Sequence, residues 1–321
     1  MKLTEQGLII RAQSGFYTVH GTSGDVICRL RGKLKRERPE EDIAAVGDRV
    51  NFSHSGDGSG AIESVEPRTK SLARSLSGVR FAYRQILLAN PDQVMLVFAC
   101  ARPEPHLRLL DRFLVILEKQ RIPVVIIANK VDLVGEATAR QMFGLYEDLG
   151  YRVIYTSAKQ GIGIDELREA LAGKISAFAG PSGVGKSSLL NGVQPALGLQ
   201  VRAVSEVTSK GMHTTQVREL FPLNDGGYVA DMPGLRTLAL WDIEPEELDG
   251  YFREMAPLVH LCQFNDCTHQ HEPGCAILAG VEAGSITKER HTSYLRLRFG
   301  DKQTWGEEEP RNFEEMDPEL E

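Results

Sequence analysis

No apolar stretch in the 321 residues approaches the ~18 needed to cross a bilayer as a helix, so a soluble chain with no membrane partner is expected. No internal repeat and no signal peptide are legible either. Cysteine is scarce, at five residues. Cys28 and Cys100 sit in apolar, strand-like contexts and read as core, and thiols used this way point to a reducing, cytoplasmic setting. An excess of positive charge is missing as well: the net charge is −7, which at first sight argues against a nucleic-acid binder. The deficit is local, however. Residues 301–321 carry nine acidic side chains against Lys302 and Arg311, which leaves the preceding 300 residues formally neutral. An acidic, Pro-containing terminus of this kind reads as a solvated tail. The length fits two or three domains with sizeable cores.

Three motifs carry chemistry, and their order is informative. Gly180-Pro181-Ser182-Gly183-Val184-Gly185-Lys186-Ser187 fits the phosphate-loop pattern G-x-x-x-x-G-K-[ST] in full. Its glycines let successive N–H groups turn toward a β-phosphate, Lys186 neutralises β/γ charge, and the Ser187 hydroxyl suits Mg²⁺. Lys174 to Ala179 reads as the strand entering the loop. Ser188, with Leu189 to Asn191, opens a helix whose N-terminus favours anions and joins the nucleotide-contacting set. Upstream, the apolar run Val124 to Ala128 delivers Asn129, Lys130 and Asp132, an N-K-x-D base reader, at a strand's carboxyl end. A carboxylate at Asp132 accepts from guanine N1–H and the exocyclic amine, a pair of donors that adenine lacks in that arrangement. Asn129 either bonds a base edge or braces the phosphate loop, and the Lys130 stem suits a ring face. A second apolar strand, Arg152 to Tyr155, ends in Thr156-Ser157-Ala158-Lys159, placing Ser157 and the Ala158 N–H toward guanine O6. Asp231-Met232-Pro233-Gly234 comes last, where Asp231 suits a magnesium-bound water and the Gly234 amide a γ-phosphate. Ordinary GTPases run phosphate loop first and base reader late, so this domain is expected to be circularly permuted.

Residues Ser205 to Gln216 are rich in Ser, Thr, Lys and Gly and read as a switch loop in which either Thr214 or Thr215 supplies a hydroxyl for Mg²⁺. The residue after the switch glycine is Leu235, where Ras-like enzymes carry a glutamine that orients the attacking water. An aliphatic side chain does neither job, so hydrolysis by the chain alone is expected to be slow. The missing group falls to the loop, with His213 as the candidate, or to a bound partner.

The remaining three cysteines form Cys262-x4-Cys267-x-His269-x5-Cys275, a compact soft-ligand set for a tetrahedral, structural Zn²⁺, with His260 and His271 as rival imidazoles. Glu244 to Leu261 shows helical apolar spacing, and helices are expected over Ala276 to Val281 and Thr287 to Phe299. At the other end, Leu8 to Ala12, Phe16 to His20, Val26 to Leu30, Arg49 to Ser53 and Ala61 to Val65 have the length and spacing of a five-stranded oligonucleotide-binding barrel. Arg29, Arg31, Lys33, Lys35, Arg36 and Arg38 cluster on its third strand and the following loop. Pro67 to Arg80 reads as a linker.

With these residues in view, the chain resembles the circularly permuted, ribosome small-subunit-dependent GTPases of bacteria over nearly its whole length. The resemblance rests on the barrel, the permuted order, the Gly-x-His-Thr-Thr loop at 211–215 and the cysteine–histidine knuckle. It implies a late factor in small-subunit maturation that binds the subunit in the GTP state, is activated by it and leaves after hydrolysis. It also implies that barrel and zinc domain both touch ribosomal RNA, and it places His213 at the family's proposed catalytic histidine. The acidic terminus fits RNA contact poorly. The expected fold is therefore a multidomain α/β chain: an N-terminal OB-fold β-barrel at 1–70, a circularly permuted P-loop GTPase domain at 71–240, a mainly helical zinc-knuckle domain at 241–300 and an acidic tail at 301–321. Its expected cofactors are GTP/GDP, Mg²⁺ and one structural Zn²⁺, its partners the small subunit and its rRNA, its state a monomer. Two other classes fit parts of the pattern: an RNA-binding assembly protein that uses nucleotide only structurally, and a permuted GTPase acting on the large subunit.

Overall fold

The computed structural model describes residues 4–35, 40–55, 58–76, 83–199, 218–232 and 243–300. The expected switch residues Gly211 to Thr215, with His213, as well as Gly234, Leu235, Arg36, Arg38 and the acidic terminus, lie outside the described residues. Two compact units are formed. One comprises the described parts of Met1–Pro105, Gln120–Ala203 and Thr215–Ala239, the other those of His106–Lys119 and Leu240–Glu321.

The first unit begins with strands β1 (Thr4–Gln13), β2 (Phe16–Gly21), β3 (Gly24–Leu30), β4 (Arg49–His54) and β5 (Gly60–Val65). Antiparallel pairing joins β1 to both β2 and β4, and a parallel step joins β3 to β5, so the order β1-β2-β3-β5-β4 closes on itself as the five-stranded barrel expected. Alternation does the sorting: Ile9, Val19, Val26, Cys28, Val50, Phe52 and Ile62 point inward and are buried. Burial pushes the Cys28 thiol up to about 11, as befits a core residue rather than a ligand.

Where a linker was expected between Pro67 and Arg80, the chain instead forms β6 (Ser71–Leu76), paired antiparallel with β7 (Tyr83–Ala89). The polar composition conceals a buried seam, since Leu72, Ala73, Ile86, Leu88 and Ala89 are all shielded from solvent. This ribbon is tied to the loop preceding β4. Arg68 places Nε and Nη2 on the two oxygens of Asp48, both at 2.8 Å, and Nη1 on Glu41 at 2.7 Å. Burial raises the Asp48 carboxyl and the Arg68 guanidinium draws it back, so the pair is mutually required.

The chain then runs through β8 (Gln93–Ala99), α1 (Leu107–Lys119), β9 (Val124–Asn129), α2 (Glu136–Asp148), β10 (Arg152–Thr156), α3 (Ile164–Leu171), β11 (Ile175–Ala179) and α4 (Lys186–Val193). Strands β12 (Arg218–Glu219), β13 (Phe221–Pro222) and β14 (Tyr228–Asp231) complete the first unit. The sheet order is β10-β9-β8-β11-β14-β13, parallel except for the edge strand β13. β8, β9 and β11 are buried at every position, which is why they read as unbroken apolar runs. The strand order reverses between β8 and β11, and open α/β sheets bind ligands at such a reversal. Strand β12 pairs instead with barrel strand β1, Arg11 opposite Glu219.

The second unit contains α1, a 3₁₀ turn at Pro245–Tyr251, α5 (Ala276–Glu282) and α6 (Lys288–Phe299). The helix expected over Glu244 to Leu261 is replaced by that turn, irregular turns and a short 3₁₀ segment at Val259–Leu261. Pro257 lacks the N–H that a continuous helix needs and Gly250 weakens the preceding turn, yet Leu248, Phe252 and Met255 still reach the core. They pack there with Val115, Ile277, Ile286 and Tyr294. Arg290 sits in this core, donating to Asp111 Oδ1 at 2.5 Å and to Glu254 Oε1 at 2.6 Å, with its guanidinium 4.5 Å from the Phe252 ring centroid. Arg290→Ala would strand two buried carboxylates, and a loss of about 3 kcal/mol in urea unfolding of this unit is expected.

Candidate functional site

Each base- or phosphate-handling segment follows the carboxyl end of a parallel strand: Asn129 ends β9, Thr156 ends β10, the phosphate loop follows β11 and Asp231 ends β14. Asn129 is 1% exposed and joins three of these segments. Its Nδ2 donates to the Val184 carbonyl at 2.8 Å, while Oδ1 accepts from Thr156 Oγ1 at 3.1 Å and from the Ala158 N–H at 3.3 Å. Asn129 thus braces the Val184 carbonyl and holds the Ala158 amide, and its amide nitrogen keeps a second N–H.

Lys130, in the left-handed region at φ 65°, sends Nζ to the Gly183 carbonyl at 2.6 Å and to that of Arg102. Burial lowers the ammonium's pKa and the Asp132 carboxylate opposes this. Asp132 itself is oriented by Ser157, whose Oγ donates to Oδ1 at 2.5 Å. The base reader and the loop after β10 thus form one hydrogen-bonded assembly that also grips the phosphate loop.

That loop needs glycine at two of its corners. Gly180 has φ 140°, and a Cβ there would lie 2.1 Å from the Val97 carbonyl of β8; at Gly185, φ 100°, it would lie 2.5 Å from Asn129 Nδ2. Close backbone approach therefore seats Pro181, Ser182, Gly183 and Val184 beside β8 and β9, with Ser187 and Ser188 in the first turn of α4. Lys186 Nζ donates to the Gly180 and Pro181 carbonyls at 2.8 and 2.9 Å. Nearby, Asp231 is raised by burial and opposed by the Lys186 charge, and its Oδ1 is buried without a hydrogen-bond partner among the described residues. A buried carboxylate oxygen lacking a donor, in the same site as the Ser187 hydroxyl, is suitable chemistry for the water shell of a hard divalent cation. The residues present fit Mg²⁺.

In the second unit the ligand atoms of Cys262, Cys267, His269 and Cys275 lie within 4.8 Å of one another. His269 Nδ1 is 3.3 Å from Cys275 Sγ and 3.7 Å from Cys262 Sγ. His260 and His271 are exposed and do not belong to the cluster. Burial, with the Cys275 and Cys262 thiols adding to it, pushes Cys267 up to about 12, and burial raises Cys275. A bound cation compensates the charge of clustered thiolates, and a Cys₃His set closed on four sides suits structural zinc. Two supporting residues were not foreseen. Asp249 Oδ2 lies 2.9 Å from His269 Nε2, fixing Nδ1 as the inward nitrogen. Glu272 accepts from the Thr268 hydroxyl and from the N–H groups of Thr268, Gln270 and His271, bracing the turn between ligands, and against its burial the Thr268 hydroxyl, with the Thr268 and His271 amides, holds its carboxyl down at about 2. Asp249 carries no readable signal, being an acid in a turn rich in acids.

Residues 65–241 match the RsgA GTPase family and residues 6–62 the RsgA N-terminal domain. The chain belongs to the RsgA GTPase family. Family membership makes it a GTPase, with GTP and GDP as its nucleotides. It is 42% identical over 301 residues to the small ribosomal subunit biogenesis GTPase RsgA of Gemmatimonas aurantiaca, covering 93% of this chain and 98% of that protein. The RsgA of Moorella thermoacetica is 45% identical over 290 residues, covering 90% and 95% respectively. Among solved structures, YjeQ from Thermotoga maritima superimposes with a TM-score of 0.75 at 38% identity, covering 92% of this chain and 98% of that one. YloQ, described as a circularly permuted GTPase, gives 0.72 at 31% identity, covering 95% and 98%. Among the described residues, no helix is long and apolar enough to cross a membrane.

Proposed function

We propose that this chain is a GTP-hydrolysing factor of late small-ribosomal-subunit maturation, which binds rRNA in the GTP state and leaves after the subunit stimulates hydrolysis. The observation that carries the reading is the Asn129 brace, which ties the base reader to the Val184 carbonyl of the phosphate loop and so makes base recognition and phosphate positioning one rigid device. The names of the relatives supply the small subunit as partner. Residues 1–70 act as the RNA-binding barrel, 71–240 as the GTPase domain and 241–300 as the zinc domain, with 301–321 as a tail outside the interface. The protein works in the cytoplasm as a monomer.

In this reading Asp132 selects guanine and Ser157 aims it. The Gly180 to Ser188 backbone and Lys186 hold the β- and γ-phosphates, with Ser187 and either Thr215 or Thr214 as the residues that would hold Mg²⁺ and Asp231 as the one that would hold a water of its shell. Magnesium supplies charge neutralisation between the phosphates when bound. Water attacks the γ-phosphorus in line, the bond to the β,γ-bridging oxygen breaks with its electron pair going to the GDP oxygen, and the proton the water gives up leaves with the released phosphate. His213 positions that water in place of the glutamine that Leu235 replaces, and Gly234 senses the γ-phosphate. Cys262, Cys267, His269 and Cys275 would hold one zinc ion as a closed structural site.

The test is turnover measured with purified small and large subunits. Stimulation by small subunits alone, on the order of 10³-fold where a missing group is completed in trans, is the expected result. Equal turnover with no subunit, small or large, would leave a nucleotide-dependent scaffold; stimulation by the large subunit would reassign the partner.

A further inference from the structure

The phosphate loop has a cationic neighbour to which nucleotide handling has so far given no role. Arg102 lies three residues past the end of β8, beside the reversal of strand order between β8 and β11. Its backbone is pinned inside the site, because Lys130 Nζ donates both to the Arg102 carbonyl and, at 2.6 Å, to the Gly183 carbonyl in the middle of the phosphate loop. Two acceptors that share one ammonium are no more than about 6 Å apart. Arg102 also holds φ 49°, a left-handed conformation that a residue with a Cβ adopts where its surroundings impose it, and such residues gather at functional sites. The side chain, by contrast, is exposed, and its guanidinium has no partner among the described residues.

We propose that Arg102 is a catalytic arginine supplied in cis, whose guanidinium donates to the oxygen bridging the β- and γ-phosphates as that bond breaks; this rests on the nucleotide placement proposed above. The amides of a phosphate loop turn toward the β-phosphate, so a long side chain anchored beside Gly183 reaches the β,γ junction. Negative charge grows there in the transition state. As the bond to the γ-phosphorus breaks, its electron pair passes to the bridging oxygen, which becomes a terminal oxygen of GDP. The guanidinium stays protonated throughout, giving hydrogen bonds but no proton, and the proton of the attacking water leaves with the phosphate. Lys130 does not fill this role, since its ammonium is held by the Gly183 and Arg102 carbonyls. His213 and Arg102 then serve opposite ends of one in-line axis, the first at the water and the second at the leaving oxygen.

The experiment compares the unaltered full chain with Arg102→Asn and Arg102→Lys in single-turnover hydrolysis, alone and with saturating small subunits. Affinities are measured in parallel for GTP and for GDP with aluminium fluoride, a mimic of the phosphoryl group in transfer. Asparagine tolerates the left-handed backbone and keeps the carbonyl that Lys130 binds. Arg102→Asn is expected to lower the rate constant about 10²–10³-fold, the cost of one donor aimed at developing charge, with GTP affinity unchanged. Affinity for GDP with aluminium fluoride should fall with the rate. Arg102→Lys recovers part of the loss, because it keeps the charge but not the planar fork. An unaltered rate overturns the assignment, as does a slower rate with aluminium fluoride binding intact. A fall in rate matched by an equal fall in GTP affinity also overturns it, since Arg102 would then support the resting site. Failure of small subunits to stimulate the unaltered chain counts against the proposed function alone, because Arg102 is still read from the rate of the chain by itself.

Discussion

Asp132→Asn is expected to weaken GTP binding by roughly 10²–10⁴-fold and to create a preference for xanthosine triphosphate. In the function proposed, the carboxylate accepts two charge-assisted hydrogen bonds from guanine, each contributing about 1.5–3 kcal/mol, and both are lost together. Ser157 makes the outcome directional. Because its hydroxyl holds Oδ1 at 2.5 Å, an amide in that position keeps its oxygen toward Ser157 and turns its NH₂ toward the base. That NH₂ then faces the exocyclic amine of guanine, donor against donor, but it meets a carbonyl acceptor at the same place on xanthine. Competition binding with GTP and xanthosine triphosphate reads the effect directly. Retained GTP preference would show that guanine is read elsewhere. Retained selectivity with uniformly weak binding would show that Asp132 supports the loop rather than the base.

The nucleotide half of the molecule was legible because its chemistry is local in sequence. The phosphate loop and N-K-x-D each lie within eight or fewer consecutive residues, and the fully buried strands β8, β9 and β11 announce themselves as apolar runs. The barrel strands were equally plain, since one face of each is wet and the alternation survives. What escaped was whatever depends on distant partners. Strand β6 looked like a linker because the stretch from Pro67 to Arg80 is rich in Lys, Arg, Ser and Gly, and only the pairing of Leu72 with Leu88 and of Ala73 with Ile86 reveals the buried side. The stretch from Glu244 to Leu261 has helical spacing but lacks a helical backbone, because Pro257 breaks the hydrogen-bond ladder while the apolar positions still converge on the core. Arg290 would pass for a surface cation; that it is buried becomes visible only with Asp111, 179 residues away, beside it. The bond from Asn129 to the Val184 carbonyl likewise joins residues 55 apart, and only the fold brings them together.

Removing one thiolate from the cysteine–histidine cluster should have the largest effect of all. The second unit has a small apolar core built around Leu248, Phe252, Met255, Ile277 and Tyr294, and two of the proposed ligands, Cys267 and Cys275, are part of that core. Metal binding to sites of this type contributes about 10–16 kcal/mol, comparable to or larger than the ~5–15 kcal/mol that a whole domain retains on folding. Cys275→Ser is therefore expected to leave the purified chain without zinc and to abolish the cooperative melting transition of this unit. Binding of GTP, whose described residues all lie in the first unit, serves as the control that the rest of the chain is folded. Asp249→Asn gives a graded version of the same test. Its side chain still fits beside His269 Nε2 but no longer carries the charge that strengthens the ligand, so zinc affinity should fall about 10–100-fold while the fold persists at saturating zinc. Zinc content by elemental analysis after dialysis against a chelator, together with calorimetry, separates the outcomes. A Cys275→Ser chain that melts as cooperatively as the unaltered one, with or without chelator, would mean that packing alone holds the unit and that the four side chains are merely neighbours.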